Sequence, residues 1–292
     1  MANRVFPRVG VLGFGIMGSG IAQVFARSGR HVTVLETDQS RLDAGFARVR
    51  EFLDNGIRRG KVSAEEGDEI VGRINGVTEL ANLADMDLVV EAISEDRALK
   101  TMLLRDVAEV VDEKVVIATN TSALSVTELA TVVPSPRRVA GLHFFNPPQL
   151  MALVEVVGAL QSSEEVLGQL CRLVEELGKE PARVKDRPGF LINALLMPYL
   201  NDVVDAYDKG LASAEDIDTA LELGLGYKIG PLKLLDIIGL DTHHHATLSA
   251  YERTFDERYA PPPLLSQMVA AGYLGRKSGR GFRYGADNGG EA

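Results

Sequence analysis

Cysteine is almost missing from this chain. Cys171 has no second cysteine to pair with, so no internal disulfide can hold the fold, and packing must do so, as suits a reducing cytosol. A positive excess is missing as well: 31 Lys and Arg face 41 Asp and Glu, a formal net charge of −10. That balance argues against general binding to nucleic acid or anionic membranes and leaves room only for a local basic pocket. No stretch approaches the roughly 18 uninterrupted apolar residues of a membrane-spanning helix. The first strand pattern starts by Val5, which leaves no room for a signal peptide. A soluble, cytoplasmic protein is expected. Apolar residues are present in quantity, at 46% of 292 positions against 25% charged. A chain of that size buries roughly three quarters of its unfolded surface and can build two ordinary domains, which excludes disorder, collagen and a stapled mini-protein.

The first half alternates short apolar runs with longer helical patterns, the grammar of a doubly wound α/β sheet. Strands are predicted at 9–12, 31–35, 88–91, 115–118 and 139–142, and helices at 17–28, 39–59 and 97–111. A hairpin-like return at 152–157 follows the Pro147-Pro148 turn. The next helix, 163–177, is capped by Ser162 or Ser163 and carries Leu167, Leu170, Cys171, Val174 and Leu177 in one stripe, which makes Cys171 a core residue. The run Lys185-Asp186-Arg187-Pro188-Gly189 breaks the pattern, and no strand signal follows it. Helical periodicity returns at 190–209, 213–223, 231–255 and 263–271. The expected organisation is a Rossmann-type domain over 1–186 and a smaller all-α domain over 187–292. The polar end from Gly285 is expected to fray.

Gly13-Phe14-Gly15-Ile16-Met17-Gly18 fits G-x-G-x-x-G, and its context gives the match weight, because it follows an apolar strand and opens an apolar helix. Gly13 permits the tight turn, Gly15 lets the backbone approach a pyrophosphate, and Gly18 allows close helix packing. Ile16 and Met17 sit where the helix N-terminus offers free N–H groups and its positive dipole end to phosphates. The second strand ends in Glu36, whose carboxylate can accept hydrogen bonds from ribose hydroxyls and would repel a 2′-phosphate. NAD is therefore favoured over NADP.

A nicotinamide enzyme that oxidises an alcohol needs a base for the hydroxyl proton. Of five histidines, His31 starts a strand, and His243, His244 and His245 are consecutive. Successive side chains on a helix diverge by about 100°, so those three cannot converge on one metal ion, and no metal site is expected. His143 stands at the carboxyl end of a predicted strand, where ligands of open α/β sheets bind. The return strand can place Glu155 beside it to orient the imidazole. Position alone leaves a structural role for His143 open.

Several motifs occur in order along nearly the whole chain. They are Gly13 to Gly18 followed by Ser19-Gly20-Ile21-Ala22, Thr119-Asn120-Thr121-Ser122, Gly141-Leu142-His143-Phe144-Phe145-Asn146-Pro147, and Pro188-Gly189-Phe190 with Asn193. Gly230-Pro231, Gly239-Leu240-Asp241-Thr242 and the run from Gly275 to Phe282 extend the series. With these motifs the chain resembles the short-chain 3-hydroxyacyl-CoA dehydrogenases. The resemblance implies a dinucleotide-binding domain, a helical domain through which subunits form a homodimer, and NAD-dependent oxidation of (S)-3-hydroxyacyl-CoA, with 3-hydroxybutyryl-CoA foremost. It makes His143 the base and Glu155 its partner, with Ser122 and Asn193 as polar contacts near the reacting carbon. It also implies cofactor contacts from Glu36, Glu95, Lys100, Asn120, Ser122, Asn146 and Lys277.

Arg59 stands where the family carries a CoA-contacting lysine, and with Arg58 and Lys61 it forms either a cationic lip for CoA phosphates or a solvated surface. Phe52 stands in place of the family's serine contact. Ala152, Ala194 and Tyr227-Lys228-Ile229 also depart from the family pattern. Lys228 can meet an acidic acyl tail, as in 3-hydroxyadipyl-CoA, or project into water. The rival readings are a dehydrogenase of a free hydroxy acid, such as a gulonate dehydrogenase-like relative, and a non-catalytic NAD-binding protein.

Overall fold

Strands that are apolar on both faces need cover on both faces, and the arrangement of the first half follows from that demand. The computed structural model describes residues 4–285; residues 286–292, most of the end expected to fray, lie outside the described residues, as do residues 1–3. Strands β1 (Arg8–Leu12), β2 (His31–Leu35), β3 (Ile74–Val77), β4 (Leu88–Glu91), β5 (Val116–Thr119), β6 (Val139–Phe144), β7 (Leu153–Gly158) and β8 (Glu180–Lys185) form one sheet in the order β3-β2-β1-β4-β5-β6-β7-β8. Every pairing is parallel except β6 against β7. Helices α1 (Ile16–Arg27), α2 (Gln39–Arg58) and α3 (Ala64–Gly72) pack on one face, α4 (Arg97–Val110) and α5 (Val126–Ala130) on the other, and α6 (Glu164–Glu176) returns to the first. This is the expected Rossmann-type doubly wound sheet. Its strand order reverses between β1 and β4, the place where such sheets open a crevice at their carboxyl ends.

Side-chain parity decides which groups share that crevice. Val9, Val11, Leu88, Val90, Leu142 and Val154 join the core beneath α1, α2 and α6, while Leu12, Val89, Ile117, Val139 and Val157 join the core beneath α4 and α5. Glu91, Thr119, His143 and Glu155 have the second parity. Glu91 is the register partner of Thr119, and His143 that of Glu155. A slip of one residue would turn these side chains to the opposite face.

The chain forms two compact units, Met1–Phe190 and Leu191–Ala292. The second holds α7 (Ile192–Asp208), α8 (Ala214–Leu225), α9 (Pro231–Ile238), α10 (Leu240–Thr254) and α11 (Pro263–Ala270) around Leu200, Val204, Leu232, Leu235, Leu240 and Leu265. The continuous helix expected over 231–255 is corrected here. Gly239, at φ +99°, ends α9 and starts α10, a conformation that only glycine adopts without strain. The helix expected from Phe190 starts at Ile192, because Phe190 itself takes φ +51°.

Candidate active site

The turn after β1 uses each of its glycines differently. Gly13 has φ +90°, and its N–H donates to the Leu35 carbonyl over 2.9 Å, tying the turn to β2. A Cβ on Gly18 would overlap the Gly13 carbonyl oxygen, so the helix can approach the turn only with glycine there. A Cβ on Gly15 would meet nothing within 4 Å, which leaves open space in front of the turn. Gly15 caps α1 without any side-chain hydrogen bond, so no side chain competes for the N–H groups of the first turn. Ile16 is exposed and Met17 half-buried on that turn. Glu36 lies beyond the end of β2, its Oε1 accepting the Phe14 N–H at 2.7 Å and its Oε2 the Thr37 N–H at 3.1 Å. Open space, uncommitted helical N–H groups and a carboxylate held at the strand end suit the pyrophosphate and ribose of NAD.

His143 is 6% exposed, and its Nδ1 lies 2.7 Å from Glu155 Oε2. A carboxylate only accepts, so Nδ1 donates to Glu155 and the other ring nitrogen, Nε2, is turned away from it. Phe145 and Phe190 flank the ring at centroid distances of 4.6 and 5.6 Å. One carbonyl and one amide join the neighbouring strand ends: Asn120 N–H donates to Glu91 O, and Asn120 Oδ1 accepts the Phe144 N–H at 2.8 Å. Asn120 thereby links β4, β5 and β6 next to His143.

Ser122 is exposed on the loop after β5, and Glu95 holds that loop from below. Glu95 Oε1 accepts the Thr121 hydroxyl at 2.5 Å and the N–H groups of Ser122 and Ala123 at 2.9 and 3.1 Å. Burial pushes the Glu95 carboxyl upward, but the Lys100 charge and the hydrogen bonds from Thr121 and Ser122 outweigh it and set its pKa below the ordinary glutamate value. Lys100 is 1% exposed, with Nζ 2.7 Å from Glu91 and 3.1 Å from Glu95. Asn146 is exposed in the turn after β6, and Lys179 donates to the Pro148 and Met151 carbonyls of the same turn at 2.8 and 2.6 Å.

Arg59 and Lys61 are exposed beyond α2, and Arg58 donates to Asn55 Oδ1 at 2.6 Å. In the second unit Asn193 lies half-buried in the first turn of α7. Lys277 pairs with Asp241 at 2.5 Å. His243 is buried against Asn201, His244 bonds Ser266, and His245 faces outward, so the three rings diverge. Among the described residues no group of three or more His, Cys, Asp or Glu is arranged to hold a metal ion, and no helix is long and apolar enough to cross a membrane. The structure thus brings His143 to Glu155 and gathers Glu95, Lys100, Asn120 and Ser122 around the ends of β4 and β5. The sequence reading missed Glu91 and Thr119. The available signal was a carboxylate closing the apolar run Leu88-Val89-Val90, a place that demands a partner if the strand end is covered.

The family described as 3-hydroxyacyl-CoA dehydrogenase, NAD binding domain, matches residues 8–187, and its C-terminal domain matches residues 189–284. A 3-hydroxybutyryl-CoA dehydrogenase of Mycobacterium tuberculosis is 43% identical over 282 residues, covering 96% of this chain and 99% of that protein. A 3-hydroxyadipyl-CoA dehydrogenase of Escherichia coli is 40% identical over 274 residues, or 94% of this chain and 58% of that protein. The crystal structure of an (S)-3-hydroxybutyryl-CoA dehydrogenase from Ralstonia eutropha superposes with a TM-score of 0.93 at 40% identity, covering 96% of this chain and 99% of the other.

Proposed function

The chain belongs to the 3-hydroxyacyl-CoA dehydrogenase family of NAD-dependent oxidoreductases, and on that footing we propose that it interconverts (S)-3-hydroxybutyryl-CoA and acetoacetyl-CoA with His143 as the base. The observation that carries the reading is the buried 2.7 Å contact between His143 and Glu155. NAD, when bound, takes up the hydride in oxidation and returns it in reduction. His143 Nε2 removes the hydroxyl proton in oxidation, and Glu155 opposes the charge that then forms on the ring. Ser122, on the loop after β5, donates a hydrogen bond to the reacting oxygen. The glycine turn with Ile16 and Met17 holds the pyrophosphate, and Glu36 the ribose hydroxyls. Glu95, Lys100, Asn120 and Asn146 complete the cofactor's surroundings, Lys100 from beneath the Ser122 loop. Arg59, with Arg58 and Lys61, receives the CoA phosphates; its exposure and cationic neighbours support that role. The protein works in the cytoplasm as a homodimer assembled through the helical unit, a reading supported by the exposed Leu211, Leu223 and Leu225 there.

Initial rates with NADH and acetoacetyl-CoA, longer 3-oxoacyl-CoAs and free acetoacetate test the proposal. The highest specificity constant is expected on acetoacetyl-CoA. A faster reaction with free acetoacetate would overturn the CoA reading, and no NADH oxidation with any of them would favour a non-catalytic NAD-binding protein. One observation favours a second substrate, 3-hydroxyadipyl-CoA. Lys228 lines an otherwise largely apolar cavity of about 440 Å³ in the helical unit, together with Tyr199 and Tyr227, where a cation can meet an acidic tail. A specificity constant higher for 3-oxoadipyl-CoA than for acetoacetyl-CoA would establish it.

A further inference from the structure

We propose that Glu91 is a positioning residue for the reaction: from the carboxyl end of β4 it sets Lys100, and through Lys100 and Glu95 the loop that presents Ser122. The inference rests on the role of Ser122 in the function proposed above. Glu91 is 0% exposed. Its Oε1 accepts Lys100 Nζ at 2.7 Å and the Ile93 N–H at 2.8 Å, and its Oε2 accepts the Thr119 hydroxyl at 2.6 Å. Lys100 Nζ reaches Glu95 at 3.1 Å, and the other Glu95 oxygen accepts the Thr121 hydroxyl and the Ser122 and Ala123 N–H groups. One buried ammonium is therefore shared by two carboxylates, one fixed in the sheet and the other gripping the loop.

The geometry defines what each part can do. Glu91 is anchored by its strand and by register with Thr119, whose side chain faces it across the β4–β5 ladder. Lys100 comes from α4, a different element, and its ammonium joins the two carboxylates, while a weaker link runs from Glu91 through the Thr119 hydroxyl to the Thr121 N–H at 3.3 Å. With glutamine in place of Glu91, the ammonium loses its partner in the sheet, and Glu95, which holds the lysine by one oxygen and the three loop donors by the other, is no longer tied through it to β4. The loop amides and hydroxyl lose a fixed acceptor, and Ser122 loses its place. Buried ion pairs are poor evidence of stability, since apolar replacements often serve as well, so a shared buried lysine points to position rather than strength. Small displacements of a group that orients the reacting atoms are costly in rate, up to about a hundred-fold for 1 Å.

The test is a double-mutant cycle on kcat for acetoacetyl-CoA reduction, with Glu91→Gln, Ser122→Ala and both together, each folded by circular dichroism. Glu91→Gln keeps the volume and forces its NH2 toward one of the donors now facing Glu91. We expect kcat to fall about ten-fold in the wild-type background with KM for acetoacetyl-CoA changed less than about two-fold, and a further fall below about two-fold once Ser122 is alanine. Equal falls in both backgrounds would show that Glu91 does not act through Ser122 and would overturn the proposal. Glu91→Asp, which keeps the charge but draws the carboxylate back from Lys100 and Thr119, enters the same cycle under the same criterion should Glu91→Gln fail to fold. Amide hydrogen exchange needs no substrate and separates this inference from the function on which it rests. Faster exchange over residues 119–124 in the variant supports it, and unchanged exchange there overturns it even in an enzyme that ignores acetoacetyl-CoA.

Discussion

His143 shows how much one side chain owes to its partner across the ladder. Its Nδ1 proton is committed to Glu155, so the tautomer and the ring plane are set before substrate arrives, and only Nε2 is left for chemistry. His143→Ala should lower kcat by roughly 10²- to 10⁴-fold while NADH affinity stays within about two-fold, because the proposed reaction has the ring act on the hydroxyl proton and not on the cofactor. Glu155→Gln should slow turnover less, since the ring keeps a hydrogen-bond acceptor and loses only the opposing charge. Stopped-flow turnover and NADH fluorescence titration check both. In the proposed function Glu36 acts by charge: held by the Phe14 and Thr37 N–H groups, its carboxylate would repel a 2′-phosphate on the ribose it binds. The specificity constant for NADH should exceed that for NADPH by at least about ten-fold, and equal constants would remove Glu36 from cofactor selection. His143 and Glu36 could be singled out in the sequence because one lies next to the last residue of a plainly patterned strand and the other just past the end of one. Glu91 was not, because nothing in a linear sequence tells a carboxylate at a strand end that a lysine nine residues on turns back to meet it.

At the level of elements, the turn from β1 into α1 separates two uses of glycine that look alike in sequence. Gly15→Ala places a methyl group in open space and leaves the packing untouched, so its melting temperature should stay near wild type. Its NADH affinity should fall at least about ten-fold, because the methyl fills the approach to the pyrophosphate. Gly18→Ala drives a methyl into the Gly13 carbonyl and should lose about 1–3 kcal/mol of stability as well as cofactor affinity. Thermal unfolding with and without NADH distinguishes the two, and a Gly18→Ala protein as stable as wild type would refute the packing argument. Strands β3 and β8 escaped the sequence reading for a related reason. Ile74-Asn75-Gly76-Val77 has two residues that disfavour strands, and Glu180-Pro181-Ala182-Arg183-Val184-Lys185 alternates polar groups around a proline. Both lie at the edges of the sheet, where one neighbour suffices and proline is tolerated, so pairing overrode propensity. Helices α9 and α10 were joined in the sequence reading because periodicity continues across Gly239, whose φ alone breaks the axis.

For the molecule as a whole, acid stability and assembly follow from burial. His243 is buried against Asn201, and burial, with a smaller contribution from His244, depresses its pKa from 6.5 to about 4. The unfolded chain therefore binds a proton that the folded chain refuses between those values, and stability falls as pH drops through that window. From pH 7 to pH 5 this one residue should cost about 2 kcal/mol, read as a lower urea midpoint that His243→Gln largely abolishes. Light scattering at concentrations where the enzyme is active should return a mass of twice one chain, and a monomer would contradict the assembly proposed for the helical unit. The sequence by itself determined the alternation of strands and helices in the first half, the loss of strands in the second, the dinucleotide turn, and His143 with Glu155 as candidates, because periodicity, glycine spacing and strand ends are local properties. Only the tertiary structure decided the edge strands, the break at Gly239 and the Glu91–Lys100–Glu95 cluster. Those depend on which segments lie side by side and on where a buried charge finds its partner, and neither is encoded by neighbours in sequence alone.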